Sequence, residues 1–307
     1  MTRTYPAAAF GALAAAALLL TACGSATTPS GTPSGGSGSG AKIAVVASTD
    51  VWGHIVSAIG GDHVQVTALM SDPSADPHSY EASAQNQLTI SKAAVIVENG
   101  GGYDDFVDRM ISSADAKATV LNAVALSGRT AVDGELNEHV WYDFRAVDKV
   151  AAKIQSVLAA ADPADATTFA DNAKVFTGKI AELQKKEAAI KAKHAGVGVA
   201  ITEPVPLYML EAAGLVNKTP AAFSEAVESD SDAPAAVVAQ NRALFTGKKV
   251  RALIYNEQTT GPQTEQVLAV AKANGIPVVP VTETLPSGAD YLGWMNANLD
   301  AIAAALN

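Results

Sequence analysis

Two of the five histidines lie where a divalent metal could be held. His78 sits in Asp72-Pro73-Ser74-Ala75-Asp76-Pro77-His78-Ser79-Tyr80-Glu81, a loop that follows an apolar run ending near Leu69-Met70 and is stiffened by its prolines. His139 sits in Asn137-Glu138-His139-Val140-Trp141-Tyr142-Asp143, where a polar loop meets a long helical pattern that Asp143 is placed to begin. Taken alone, each imidazole fits a surface or capping role better than a ligand role. An imidazole binds a metal only when neutral, so a site using both is expected to weaken below about pH 6.5, its ordinary titration point. Of the rest, His54 in Val51-Trp52-Gly53-His54-Ile55 reads as a helix residue near the same cleft, while His63 and His194 read as structural. The single thiol, Cys23, excludes a disulfide framework, a cysteine zinc finger and an iron–sulfur cluster. There is no H-E-x-x-H helix and no G-x-S-x-G elbow.

Short β-branched runs alternating with helical patterns must position these groups. They occur at 43–47, 64–69, 93–97 and 119–121, then at 197–202, 250–255 and 277–281. Such alternation predicts an α/β fold of two lobes, each with a mainly parallel sheet flanked by helices. Loops at the carboxyl ends of parallel strands are where open sheets of this kind bind ligands. Between the lobes, 145–161 and 163–194 read as helix with a break at Asp162-Pro163, where Asp162 caps and Pro163 fits the first turn. Phe169, Phe176, Ile180, Leu183 and Ile190 give the second piece one apolar stripe. The expected organisation is a signal peptide over 1–22, a tether over 23–40, an N-terminal lobe over 41–144, an interlobe helix region over 145–195 and a C-terminal lobe over 196–307.

Of 307 residues, 49% are apolar and 17% charged, enough to bury two cores and too hydrophobic for a disordered chain. A formal charge of −10 argues against nucleic acid and for cations as partners. The uncharged stretch from Ala7 to Leu20 is too short to span a bilayer and reads as a signal-peptide core. It ends in Leu20-Thr21-Ala22-Cys23, which resembles the bacterial lipobox and implies that Cys23 is lipidated after cleavage. The Gly, Ser, Thr, Ala and Pro residues of 24–40 form a flexible tether. The expected location is extracytoplasmic, lipid-anchored to the bacterial cell membrane.

The chain resembles the metal-binding solute-binding lipoproteins of manganese and zinc ABC importers, the cluster A-I or class III binding proteins. Asp76-Pro77-His78-Ser79-Tyr80-Glu81 is similar to that family's D-P-H-x-Y-E segment, and Glu138-His139-Val140-Trp141-Tyr142-Asp143 to its D-P-H-x-W-x-D segment. Asn137-Glu138 stands where Asp-Pro is usual, and Phe144 replaces a Pro, which makes the second match looser. The resemblance implies His78 and His139 as metal ligands. It implies Glu203, in Ile201-Thr202-Glu203-Pro204, as the third and Glu283, in Val281-Thr282-Glu283-Thr284, as the fourth, with Glu in place of the usual Asp. A helix-capping role competes for Glu203. Two imidazoles and two carboxylates suit Mn(II) or Zn(II) and neutralise the ion, whereas calcium takes all-oxygen ligands.

The implied protein captures Mn(II) or Zn(II) as cargo, without an organic cofactor, and delivers it to a membrane permease and ATPase. A monomer is expected, with no nucleic-acid partner. The segment 127–138 lacks the histidines of zinc-collecting relatives, which leans the reading toward manganese. The competing readings are a secreted zinc hydrolase and a surface adhesin on the same fold. Four protein ligands would close a zinc site against a catalytic water, so no enzyme is expected.

Overall fold

The computed structural model describes residues 41–72, 80, 83–131 and 134–307. Cys23, the tether and His78 lie outside the described residues. The first sheet contains β1 (Ile43–Thr49), β2 (Val64–Met70), β3 (Val95–Glu98) and β4 (Thr119–Asn122). They lie in the order β2-β1-β3-β4, with every pairing parallel. The second sheet, β5 (Gly198–Ile201), β6 (Val216–Asn217), β7 (Leu253–Asn256) and β8 (Val278–Val281), repeats that order as β6-β5-β7-β8. Each sheet therefore has its topological switch point beside its first strand, and the crevice outside the carboxyl ends is where such sheets take ligands. The two-lobe α/β expectation holds, but β6 was not legible, because two residues carry no periodicity.

Helix α1 (Asp50–Gly60) leaves β1 through a Thr49 cap and buries Val51, Trp52, Ile55, Val56 and Ile59, the spacing of one helical face. His54 is exposed on this helix and joins no metal-ligand cluster among the described residues. Around the first sheet lie also α2 (Ala84–Ser91), α3 (Phe106–Ala114) and α4 (Ala123–Ser127). Asp143 caps α5 (Phe144–Ala161) by accepting from the Arg145 amide. The expected break follows, with Asp162 accepting from the Ala164 amide, before α6 (Ala166–His194). All five residues of the α6 stripe are buried. At 29 residues α6 extends roughly 44 Å at 1.5 Å per residue, long enough to run past both sheets.

The second sheet carries α7 (Leu207–Ala212), α8 (Ala221–Glu228), α9 (Ala235–Thr246) and α10 (Pro262–Ala273), and α11 (Tyr291–Leu306) follows it. Strand alternation divides its residues between two cores. Val199, Ile201, Ile254, Val279 and Val281 join a core continuous with the first lobe through α5, α6 and α11. Ala200, Leu253 and Tyr255 pack on the other face with residues of α8, α9 and α10. The lobes thus share one apolar core. No helix among the described residues is long and apolar enough to cross a membrane.

Candidate metal centre

His139 is fully buried at the entry to a short 3₁₀ turn, Val140–Tyr142, with Tyr103 and Trp141 against its ring at centroid distances of 5.9 and 5.0 Å. Its Nδ1 donates to Asn137 Oδ1 at 2.8 Å, since an amide oxygen only accepts. That bond keeps a proton on Nδ1 and turns Nε2 toward the carboxylates of Glu228 and Glu283. The same Asn137 oxygen accepts from the His139 amide, and its Nδ2 donates to the Pro204 carbonyl of the second lobe at 3.1 Å. The Tyr208 hydroxyl returns a bond to the Asn137 carbonyl at 2.7 Å. The Asn that departs from the family pattern is thus the residue that joins the imidazole to the loop after β5. Glycine at 101, with φ at +76°, permits this approach: a Cβ there would stand 3.2 Å from Glu138 Cβ.

Glu203 and Glu283 arrive from the second lobe at the carboxyl ends of β5 and β8, and both are buried. Asn256, the last residue of β7, bridges them: its Nδ2 donates to Glu203 Oε2 and, at 2.8 Å, to Glu283 Oε1. Gln258 Oε1 accepts from the Glu283 amide at 2.5 Å and holds the loop. Glu203 is no helix cap, since α7 begins at Leu207 without a side-chain cap. Glu283 Oε2 lies 3.7 Å from His139 Nε2, and a carboxylate oxygen of Glu228, the last residue of α8, lies at the same distance. Ligand atoms of Glu138, His139 and Glu228 fall within 4.8 Å of one another. The structure therefore brings together His139, Glu203 and Glu283, and adds Glu228. That residue ends an ordinary amphipathic run in the sequence and carries no signal there.

Two buried hydroxyls set the distance between the lobes at this point. Tyr142 donates to the Thr282 carbonyl at 2.8 Å and receives Asn298 Nδ2 at 3.1 Å, while Tyr291 donates to the Trp141 carbonyl at 2.5 Å. The turn that carries His139 is thereby bonded to the loop that carries Glu283.

Charge dominates the chemistry. Burial lowers the affinity of the His139 imidazole for a proton, but the carboxylates of Glu228, Glu283 and Glu138 outweigh it and raise its pKa to about 10. Burial first, then the Glu283 and Glu228 charges, push Glu203 up to about 8. The expectation of an imidazole titrating near 6.5 is corrected for this residue: without a metal the cluster retains protons as its counter-charge. Tyr103, hydrogen-bonded to Glu283, is held well above the phenol range by burial and then by that carboxylate, so it stays a neutral donor. Outside lies a cleft of about 660 Å³, lined by Glu135, Glu138, Glu225 and Glu228 among others, an acidic approach that concentrates cations.

The chain is similar to known proteins in sequence and in fold. The family model for ZnuA, described as zinc-uptake complex component A, periplasmic, matches residues 45–305. The manganese-binding lipoprotein MntA of Bacillus subtilis (strain 168) is 26% identical over 304 residues, covering 92% of this chain and 95% of that one. The manganese ABC transporter substrate-binding lipoprotein scaA of Streptococcus gordonii is 22% identical over 288 residues, covering 87% and 90%. Among solved structures, the periplasmic zinc binding protein TroA from Treponema pallidum superposes with a TM-score of 0.71 at 21% identity, over 86% of this chain and 99% of that one.

Proposed function

The chain belongs to the ZnuA family, and from that premise we propose that it is the binding component of an ABC importer, capturing Mn(II) or Zn(II) outside the cytoplasmic membrane and delivering it to the permease and ATPase. It binds cargo and is not an enzyme. In this reading His78, His139, Glu203 and Glu283 hold the ion. The observation that carries it is the buried arrangement of His139 Nε2 facing Glu283 at 3.7 Å, with Asn256 tying Glu283 to Glu203. Metal–ligand bonds of about 2.1 Å spanning such a separation subtend an angle of about 120° at the ion, within reach of tetrahedral and five-coordinate geometries. Arrival of the metal expels the protons that the cluster holds, and the carboxylates offset its charge inside a water-poor cavity.

Manganese is supported by the carboxylate share of the ligands and by the names of the Bacillus and Streptococcus relatives. Any nitrogen–oxygen site of this kind also takes zinc, and in vitro more tightly. Anchoring through a lipid on Cys23 is supported by the lipobox-like segment and by the lipoprotein names of those relatives. We take the receptor to act as a monomer, which sedimentation of the metal-bound chain tests.

The test of capture is a melting series of the full chain in detergent with chelator, Mn(II) or Zn(II). At a hundredfold excess over Kd, binding adds about 2.7 kcal/mol of stability, a clear shift. His78→Ala is expected to abolish both shifts, and Glu283→Ala to abolish the manganese shift before the zinc shift. A wild type that responds to neither ion overturns the reading; one that responds to zinc alone overturns manganese as cargo.

A further inference from the structure

Glu228 occupies an electrostatically adverse position. It ends α8, where the helix dipole disfavours a negative charge, and its side chain is only 16% exposed. There it faces three more carboxylates, since Glu138 lies within the same ligand-atom cluster and the charges of Glu203 and Glu283 act on the same imidazole or on one another. Such crowding requires positive charge to compensate it, supplied by retained protons or by a bound cation. The geometry says where that cation sits: Glu228 Oε1 stands 3.7 Å from His139 Nε2, the separation that Glu283 Oε2 also shows. An independent sign lies across the cluster, where Glu203 is 1% exposed and its Oε1 has no hydrogen-bond partner among the described residues, leaving a buried acceptor for the same ion.

We propose that Glu228 is a third metal-directed carboxylate, supplied by the end of α8, and that it tilts the site toward Mn(II). The inference rests on the reading that His139, Glu203 and Glu283 hold the cargo. Oxygen ligands suit manganese and added imidazole suits zinc, so a third carboxylate favours the ion that accepts five or six ligands over the one that is satisfied with four. It also gives the loaded site one formal negative charge in excess. Release to the permease would then require α8 to withdraw its terminal residue, a short movement of one helix end.

The experiment is a competition titration of the full chain against a fluorescent chelator with Mn(II) and with Zn(II), comparing wild type, Glu228→Gln and Glu225→Gln. Glu225 is exposed one helical turn earlier and lines the same cleft, so its variant removes equal charge without touching the cluster. Glu228→Gln is expected to weaken manganese at least tenfold and zinc less than threefold, with Glu225→Gln within twofold of wild type for both. Should the glutamine variant not fold, Glu228→Asp, which withdraws the carboxylate by one methylene, is expected to shift the manganese-to-zinc ratio in the same direction. Equal losses for the two ions, losses matched by Glu225→Gln, or no change at all each overturn the proposal. A wild type that binds neither ion instead overturns the reading beneath it.

Discussion

At the scale of single residues, Asn137 is the most consequential departure from the family pattern. One amide oxygen accepts the imidazole Nδ1–H and the His139 amide, while its nitrogen reaches the other lobe. Asn137→Ala is expected to lower metal affinity ten- to a hundredfold with the fold intact, the usual penalty for losing the group that orients a ligating histidine; chelator competition measures it, and an unchanged affinity would show that the tautomer is fixed elsewhere. Proton competition gives a second test. A raised pKa means that the metal must displace a proton from His139 throughout the neutral range, so affinity rises with pH and falls as pH drops. Between pH 6.5 and 7.5 the slope is expected to be at least one decade per unit, with Glu203 adding to it below about pH 8. Calorimetry at three pH values checks this, and affinity that is flat above pH 6.5 would mean that the carboxylates do not hold the imidazole protonated.

Elements were more legible in the sequence than the network between them. Seven of the eight strands, the capped break at Asp162-Pro163 and the α6 stripe all follow from local pattern, because periodicity and capping are encoded within a few residues. The run beginning at Val250 yields a strand only from Leu253, although Val250 is buried: hydrophobicity marks burial, while the ladder needs a partner. His139 and the two expected glutamates could be found through motifs. Glu228, Asn256 and the Asn137 bridge could not, since each acts across long sequence separations that only the fold closes. Glu187 was also hidden. Glu187 is buried on α6, and burial pushes its pKa from 4.5 to about 8. The folded state then binds this proton more tightly than the unfolded chain, so its contribution to stability falls as pH rises from about 4.5 to about 8. Glu187→Gln is expected to match wild type in melting temperature near pH 4.5 and to exceed it at pH 8. A constant difference across that range would place the carboxylate in contact with water.

For the molecule as a whole, the shared core makes the two lobes one folding unit. Ile180, fully buried on α6, packs in the core that spans both sheets, so Ile180→Ala is expected to cost 2–5 kcal/mol and to lower a single melting transition without splitting it. Two transitions in scanning calorimetry would show that the lobes melt apart. The proposed lipidation of Cys23 has its own test: Cys23→Ser is expected to move the receptor from the membrane fraction to the medium or periplasm with metal affinity unchanged, and a variant still bound to membranes would overturn the proposal that Cys23 anchors the chain. The cradle also has an order in time. Translation delivers its imidazole long before its last carboxylate, and α11, whose Tyr291 and Asn298 brace the imidazole's turn, comes later still. A nascent chain that has not reached Glu283 has an imidazole with no carboxylate from the loop after β8 opposite it, and one clipped before α11 lacks the braces on that imidazole's turn. On the proposed ligand set, a chain can therefore be loaded only once it extends through Glu283, so occupancy would report completed synthesis as well as metal supply.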